Sequence, residues 1–84
     1  MSRDRLVADI VATVLDVDAD GLRGALPLAD IGGWDSVNAM RVLAYLESRL
    51  DAPLDYERFQ RAETVGDLVA VVDLVGAAEG GRHG

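Results

Sequence analysis

The sequence contains no cysteine and no lysine, a single histidine, and only four aromatic residues among 84. Without cysteine there is no disulfide framework, no thiolate metal site and no cysteine nucleophile, a composition compatible with a reducing cytoplasm. Without lysine, a serine–lysine hydrolytic pair is excluded. No run of 18 apolar residues is present to span a bilayer as a helix. The opening Met1-Ser2-Arg3-Asp4-Arg5 leads into too few apolar residues before Asp9 to read as a secretory signal. Positive charge is also scarce: 8 arginines face 15 carboxylates, for a net charge of −7 and a pI near 4.4. Such a chain repels phosphate backbones and anionic membranes, so neither nucleic acid nor lipid headgroups are expected partners, and basic surfaces on other proteins are. The expectation is one acidic, cytoplasmic domain, monomeric by default.

What is present is apolar and helical in its spacing. Half the residues are hydrophobic. Leu6, Val7, Ile10, Val11, Val14 and Leu15 predict a helix over 3–15, with Ser2 as N-cap, Asp4 in its first turn and a stop near Asp16. From Asp16 to Asp35 the text changes to Asp, Gly and Pro, interrupted by Leu22, Leu26, Leu28 and Ile31. A connection this long is functional or disordered; its leucines predict an ordered loop packed onto the bundle. A second helix is expected from Ser36 to Leu50, with Ala39, Leu43, Leu46 and Leu50 as the core stripe and Met40 and Val42 at its flanks. Another face carries Val37, Arg41, Ala44 and Ser48, with Met40 at the border between core and contact. Pro53 blocks continuation, Asp55 caps a short helix from Tyr56 to Arg61 anchored by Phe59, and Thr64 with Asp67 reads as a capping box for a final helix. Val65, Leu68, Val69, Val72 and Val75 are its predicted stripe. The domain is expected to span 1–78, with Glu79 to Gly84 a frayed, Gly-rich tail. The fold class is therefore all-α: a small four-helix bundle with a long ordered loop between helices 1 and 2 and a short third helix.

The chemistry lies in Asp30-Ile31-Gly32-Gly33-Trp34-Asp35-Ser36-Val37. Two glycines permit a tight turn, and a helix opens directly after them. With Asp35 as N-cap, the Ser36 hydroxyl is not needed for capping and can face solvent. A phosphate ester on Ser36 would sit at the positive end of the helix dipole, although Asp30 and Asp35 offset part of that field. Trp34 reads first as a partly buried loop anchor and second as a partner contact.

Gly33-Trp34-Asp35-Ser36-Val37 resembles the Gly-x-Asp-Ser-Leu signature of the acyl and peptidyl carrier protein family. Leu26-Pro27-Leu28-Ala29-Asp30-Ile31-Gly32 resembles that family's loop before the serine, and Leu46-Glu47-Ser48-Arg49-Leu50 the close of its second helix. Phe59 and Thr64-Val65-Gly66-Asp67-Leu68 resemble its third-helix anchor and fourth-helix start, so the resemblance covers Leu6 to Val75. It implies a free-standing, non-catalytic carrier with 4′-phosphopantetheine covalently attached at Ser36, Asp35 completing the attachment motif, and no resident metal. The arm's thiol would hold acyl or aminoacyl intermediates as thioesters. The implied partners are a phosphopantetheinyl transferase, an adenylating or acyltransferring loading enzyme, and condensing or tailoring enzymes. Docking is expected at Val37, Met40, Arg41, Ala44 and Trp34. Two departures stand out: Val37 replaces the usual leucine, and Arg41 and Arg49 occupy a helix that is strongly acidic in the fatty-acid members. The resemblance is therefore to carriers of polyketide or nonribosomal peptide metabolism.

Three other readings are weaker. Asp16, Asp18, Asp20 and Gly21 match the start of a calcium-binding EF-hand loop, but Pro27 stands where the bidentate glutamate is required. A serine hydrolase would need a base near Ser36, and the only histidine is His83 in the terminal stretch. An unmodified helical interaction module would need the same apolar stripes, so those stripes do not discriminate against it.

Overall fold

The computed structural model of the chain describes residues 3–82, with side chains described through Val75. Four helices follow one another: α1 (Arg3–Leu15), α2 (Ser36–Leu50), α3 (Tyr56–Arg61) and α4 (Val65–Arg82). The long connection carries two 3₁₀ turns, Ala19–Gly21 and Leu28–Asp30. The first three helices have the bounds their periodicity and caps predict; the expected N-cap Ser2 lies outside the described residues.

The core forms where three apolar stripes meet. Val7 and Val11 of α1, Val42 and Leu46 of α2, and Leu68 and Val72 of α4 are almost completely buried. Burying each such side chain contributes about 1.5–3 kcal/mol. α1 packs against both α2 and α4, and α3 lies on α4 with Phe59 buried as its anchor.

Two stripes are rotated from the expected ones. On α2 the buried centre is Val42 and Leu46, whereas Ala39, Leu43 and Leu50 are only half-buried. The apolar arc is wider than one packing seam: its Val42 side is fully buried and Leu43 is left at the edge. On α4 Val71 is buried while Val69 and Val75 are half-buried. The α4 main chain also continues helically to Arg82, past the end expected at Ala78. Propagation costs far less than nucleation, so each glycine there subtracts only about 1 kcal/mol from a helix already formed.

The loop is ordered, and its anchor is the start of α4. Leu22, Leu28 and Ile31 are buried in the core. The Val65 N–H donates to Leu26 O (3.0 Å), the Gly66 N–H to Gly24 O (2.9 Å) and the Leu28 N–H to Glu63 O (2.8 Å). The Asp67 N–H donates to Thr64 Oγ1 (3.1 Å), while Asp67 Oδ2 accepts from the Thr64 and Glu63 N–H groups. These are the reciprocal bonds of a capping box. Together with the loop carbonyls they satisfy the first three amides of α4, which a helix cannot satisfy itself.

Candidate functional site

The turn before α2 is built residue by residue. Ile31 is buried and its carbonyl accepts from the Trp34 N–H (3.1 Å), which tightens the chain around Gly32 and Gly33. Gly33 has φ +90°, a conformation only glycine adopts freely. Its carbonyl accepts from Asn38 Nδ2 (2.8 Å), tying the turn to the first turn of the helix. Asp35 is extended, and its Oδ1 accepts from the Asn38 N–H (2.8 Å), so it is the N-cap expected from the sequence. Asn38 was not singled out by the sequence; an Asn three residues after a capping Asp signals it weakly, because its second bond depends on the turn's shape.

Ser36 is the first residue of α2 and is exposed. Among the described residues its hydroxyl has no hydrogen-bond partner, and neither do the backbone N–H groups of Ser36 and Val37. α4 has loop carbonyls on the equivalent amides; α2 leaves them open. An accessible primary hydroxyl beside two free N–H donors at a helix N-terminus fits a phosphodiester on Ser36.

An open groove of about 370 Å³ runs from Ser36 toward α3. Trp34, Met40 and Phe59 supply apolar walls, and Tyr56 and Gln60 a polar rim in which Gln60 Nε2 donates to the Tyr56 hydroxyl (2.8 Å). Trp34 and Met40 are half-buried, packed against the core while facing this groove. Tyr56 and Gln60 were not foreseen, since only the docking of α3 brings them to the start of α2. Val37, Arg41 and Ala44 do not line this groove; all three are exposed elsewhere on α2.

The aspartates of the EF-hand-like segment are engaged otherwise. Asp16 follows α1 in the left-handed conformation (φ 57°), and Asp18 accepts from the Asp20 N–H (2.9 Å) to cap a 3₁₀ turn.

Residues 5–72 match the family model described as phosphopantetheine attachment site. The chain is 28% identical over 76 residues to an acyl carrier protein of an Exiguobacterium strain, covering 87% of this chain and 96% of that protein. It is 33% identical over 76 residues to a non-reducing polyketide synthase of Aspergillus terreus, covering 90% of this chain but only 3% of the synthase. Among solved structures, the holo acyl carrier protein of Geobacter metallireducens superposes with a TM-score of 0.82 at 27% identity, covering 100% of this chain and 97% of that one. A four-helix fold with this loop, a serine opening α2 and a family match across both place the chain in the phosphopantetheine-attachment family, as a non-catalytic carrier of the acyl carrier type with a covalently attached phosphopantetheine.

Proposed function

We propose that Ser36 is the attachment residue and that the chain carries acyl or aminoacyl intermediates between the enzymes of a polyketide or nonribosomal peptide route. The observation that carries the assignment is the Ser36 hydroxyl, exposed at the head of a capped helix and, like the two amides beside it, without a partner among the described residues. A separate transferase uses coenzyme A as donor: Ser36 Oγ displaces the nucleotide at the phosphoanhydride, becomes the ester oxygen of a phosphodiester, and gives up its proton to the transferase. When bound, the group supplies a thiol on a long arm that holds the cargo as a thioester. Asp35 keeps the helix start formed without engaging the serine, and Gly33 lets the turn stand clear of it. Trp34, Val37, Met40, Arg41 and Ala44 are the contact ground for partner enzymes in this reading. The polyketide synthase relative and the arginines of α2 support the specialised-metabolism assignment.

The deciding experiment is intact-protein mass spectrometry after incubation with coenzyme A, magnesium and a broad-specificity phosphopantetheinyl transferase. The expected result is a gain of one phosphopantetheinyl group that disappears in Ser36→Ala. A gain that persists in Ser36→Ala would move the attachment elsewhere, and no gain from folded protein across several transferases would sink the assignment.

A further inference from the structure

Along α2 the row Val37, Arg41, Tyr45, Arg49, spaced four residues apart, is exposed at every position. Val37 is 70% and Tyr45 49% exposed, the two largest exposures among the large hydrophobic side chains described. The row starts beside Ser36 and descends about 18 Å at the helical rise of 1.5 Å per residue. Apolar and cationic side chains alternate along it, and the small exposed residues Ala44 and Ser48 beside it let another surface come close.

Among the described residues no carboxylate holds its arginines. The ion pairs among the described residues are Arg5–Asp9 (3.6 Å) and Arg58–Asp55 (3.4 Å). Arg41 Nη1 reaches only Asn38 Oδ1, at 3.5 Å. Glu47, the one acid of α2, is turned away to accept from the Leu54 N–H (2.8 Å). In a chain of net charge −7, the ridge leading away from Ser36 is thus locally cationic.

From this we infer that the Val37–Arg41–Tyr45–Arg49 ridge docks on an acidic enzyme surface: an apolar groove that receives Val37 and Tyr45, flanked by Asp or Glu side chains that pair with Arg41 and Arg49. The inference rests on the carrier reading of Ser36. Overall charge points to basic partners, but charges at a contact are matched locally, and a basic partner would bring like charge against both guanidinium groups. Leaving them unpaired on desolvation is costly, whereas carboxylates opposite them restore the lost hydration. Tyr45 adds a rigid amphipathic anchor of the kind that concentrates binding energy at interfaces.

The test uses holo protein whose modification has first been verified by mass; failure at that stage counts against the Ser36 reading alone. An enzyme of the same source that charges the arm's thiol is then assayed with wild type, Arg41→Glu/Arg49→Glu and Tyr45→Ala. The double reversal should lower kcat/KM at least about tenfold through KM, with kcat at saturation retained. Raising salt from about 50 mM to about 500 mM should weaken the wild type and strengthen the double variant, whose glutamates then face screened like charge. Tyr45→Ala should lower kcat/KM without altering the salt dependence. The double reversal takes the net charge from −7 to about −11 and should lower the melting point somewhat by added repulsion, so circular dichroism melts are used to set the assay temperature well below the midpoint of every variant. Unchanged or increased kcat/KM in the double reversal would overturn the inference. So would a wild-type dimer that dissociates in the double reversal, which would assign the ridge to a second copy of the chain.

Discussion

At the scale of single residues, Asp35 and Ser36 are neighbours with separate tasks. Asp35 Oδ1 holds the Asn38 N–H at 2.8 Å, while the Ser36 hydroxyl holds nothing among the described residues. Ser36→Ala should therefore change stability by less than about 0.5 kcal/mol, whereas Asp35→Ala should cost about 1 kcal/mol through loss of the cap. Urea denaturation of both variants checks this; a Ser36→Ala loss equal to that of Asp35→Ala would mean the serine shares the capping. A second residue-scale expectation concerns Asp67. The backbone N–H of Glu63, then that of Thr64, hold its carboxyl below the usual aspartate value of 3.8. A folded-state pKa lowered in this way gives stability that is present above the unfolded value and lost as pH falls through the folded one. Asp67→Asn should thus be less stable than wild type at neutral pH, with the gap closing below about pH 3.8 as the wild-type carboxylate is protonated. Thermal midpoints of the two proteins that stay equally far apart from pH 7 down to pH 2 would show that the charge is not what matters there.

Among the elements, the contact between loop and α4 decides whether the connection is a structured part of the fold. The Gly66 N–H donates to Gly24 O, and a Cβ on Gly66 would stand 3.0 Å from that same oxygen. In an open helix, Gly→Ala gains about 1 kcal/mol of helix propensity. Here the obstacle is a backbone carbonyl already used as an acceptor, so relief requires pulling the loop from α4. Gly66→Ala should be destabilising by about 1 kcal/mol or more despite its better propensity, whereas Gly24→Ala, with open space around its Cβ, should be nearly neutral. A Gly66→Ala protein more stable than wild type would show the loop yielding freely. The same contact marks where sequence reading stops. The bounds of the first three helices and the start of the fourth were legible because apolar period, caps at Asp35 and Asp55, and the Thr64–Asp67 box agree with one another. That Leu22, Leu28 and Ile31 pack down was legible from their hydrophobicity; that their loop hydrogen-bonds to 63–66 was not, because backbone pairing leaves no side-chain signature. In the site, Ser36 and its cap were readable from local order. Tyr56 and Gln60, twenty or more residues on, reach the groove only through the docking of α3. Tyr45 and Arg49 were readable as helix positions, yet which neighbouring row stays exposed depends on which side of the wide apolar arc is buried.

For the whole molecule, fifteen carboxylates against eight arginines set two electrostatic effects in opposition. Within the chain, like charges compacted by folding repel one another, and the loop carboxylates Asp16, Asp18 and Asp20 stand close together in sequence with no arginine until Arg23. The ion pairs that counter this repulsion, Arg5–Asp9 and Arg58–Asp55, are solvent-exposed and belong to a class worth only about 0–1 kcal/mol. Repulsion should therefore outweigh attraction in the folded state. Adding sodium chloride to about 0.5 M, where the Debye length is well under 10 Å, should raise the thermal midpoint. The same salt should weaken docking through the α2 ridge, because there Arg41 and Arg49 meet opposite charge. Stability and partner affinity should thus move in opposite directions with ionic strength, a pairing that neither hydrophobic docking nor a balanced surface would produce. A calorimetric salt series on the wild type alone decides the first half. If the midpoint falls as salt rises, the exposed pairs outweigh the net charge, and the acidic surface is better balanced in three dimensions than its composition suggests.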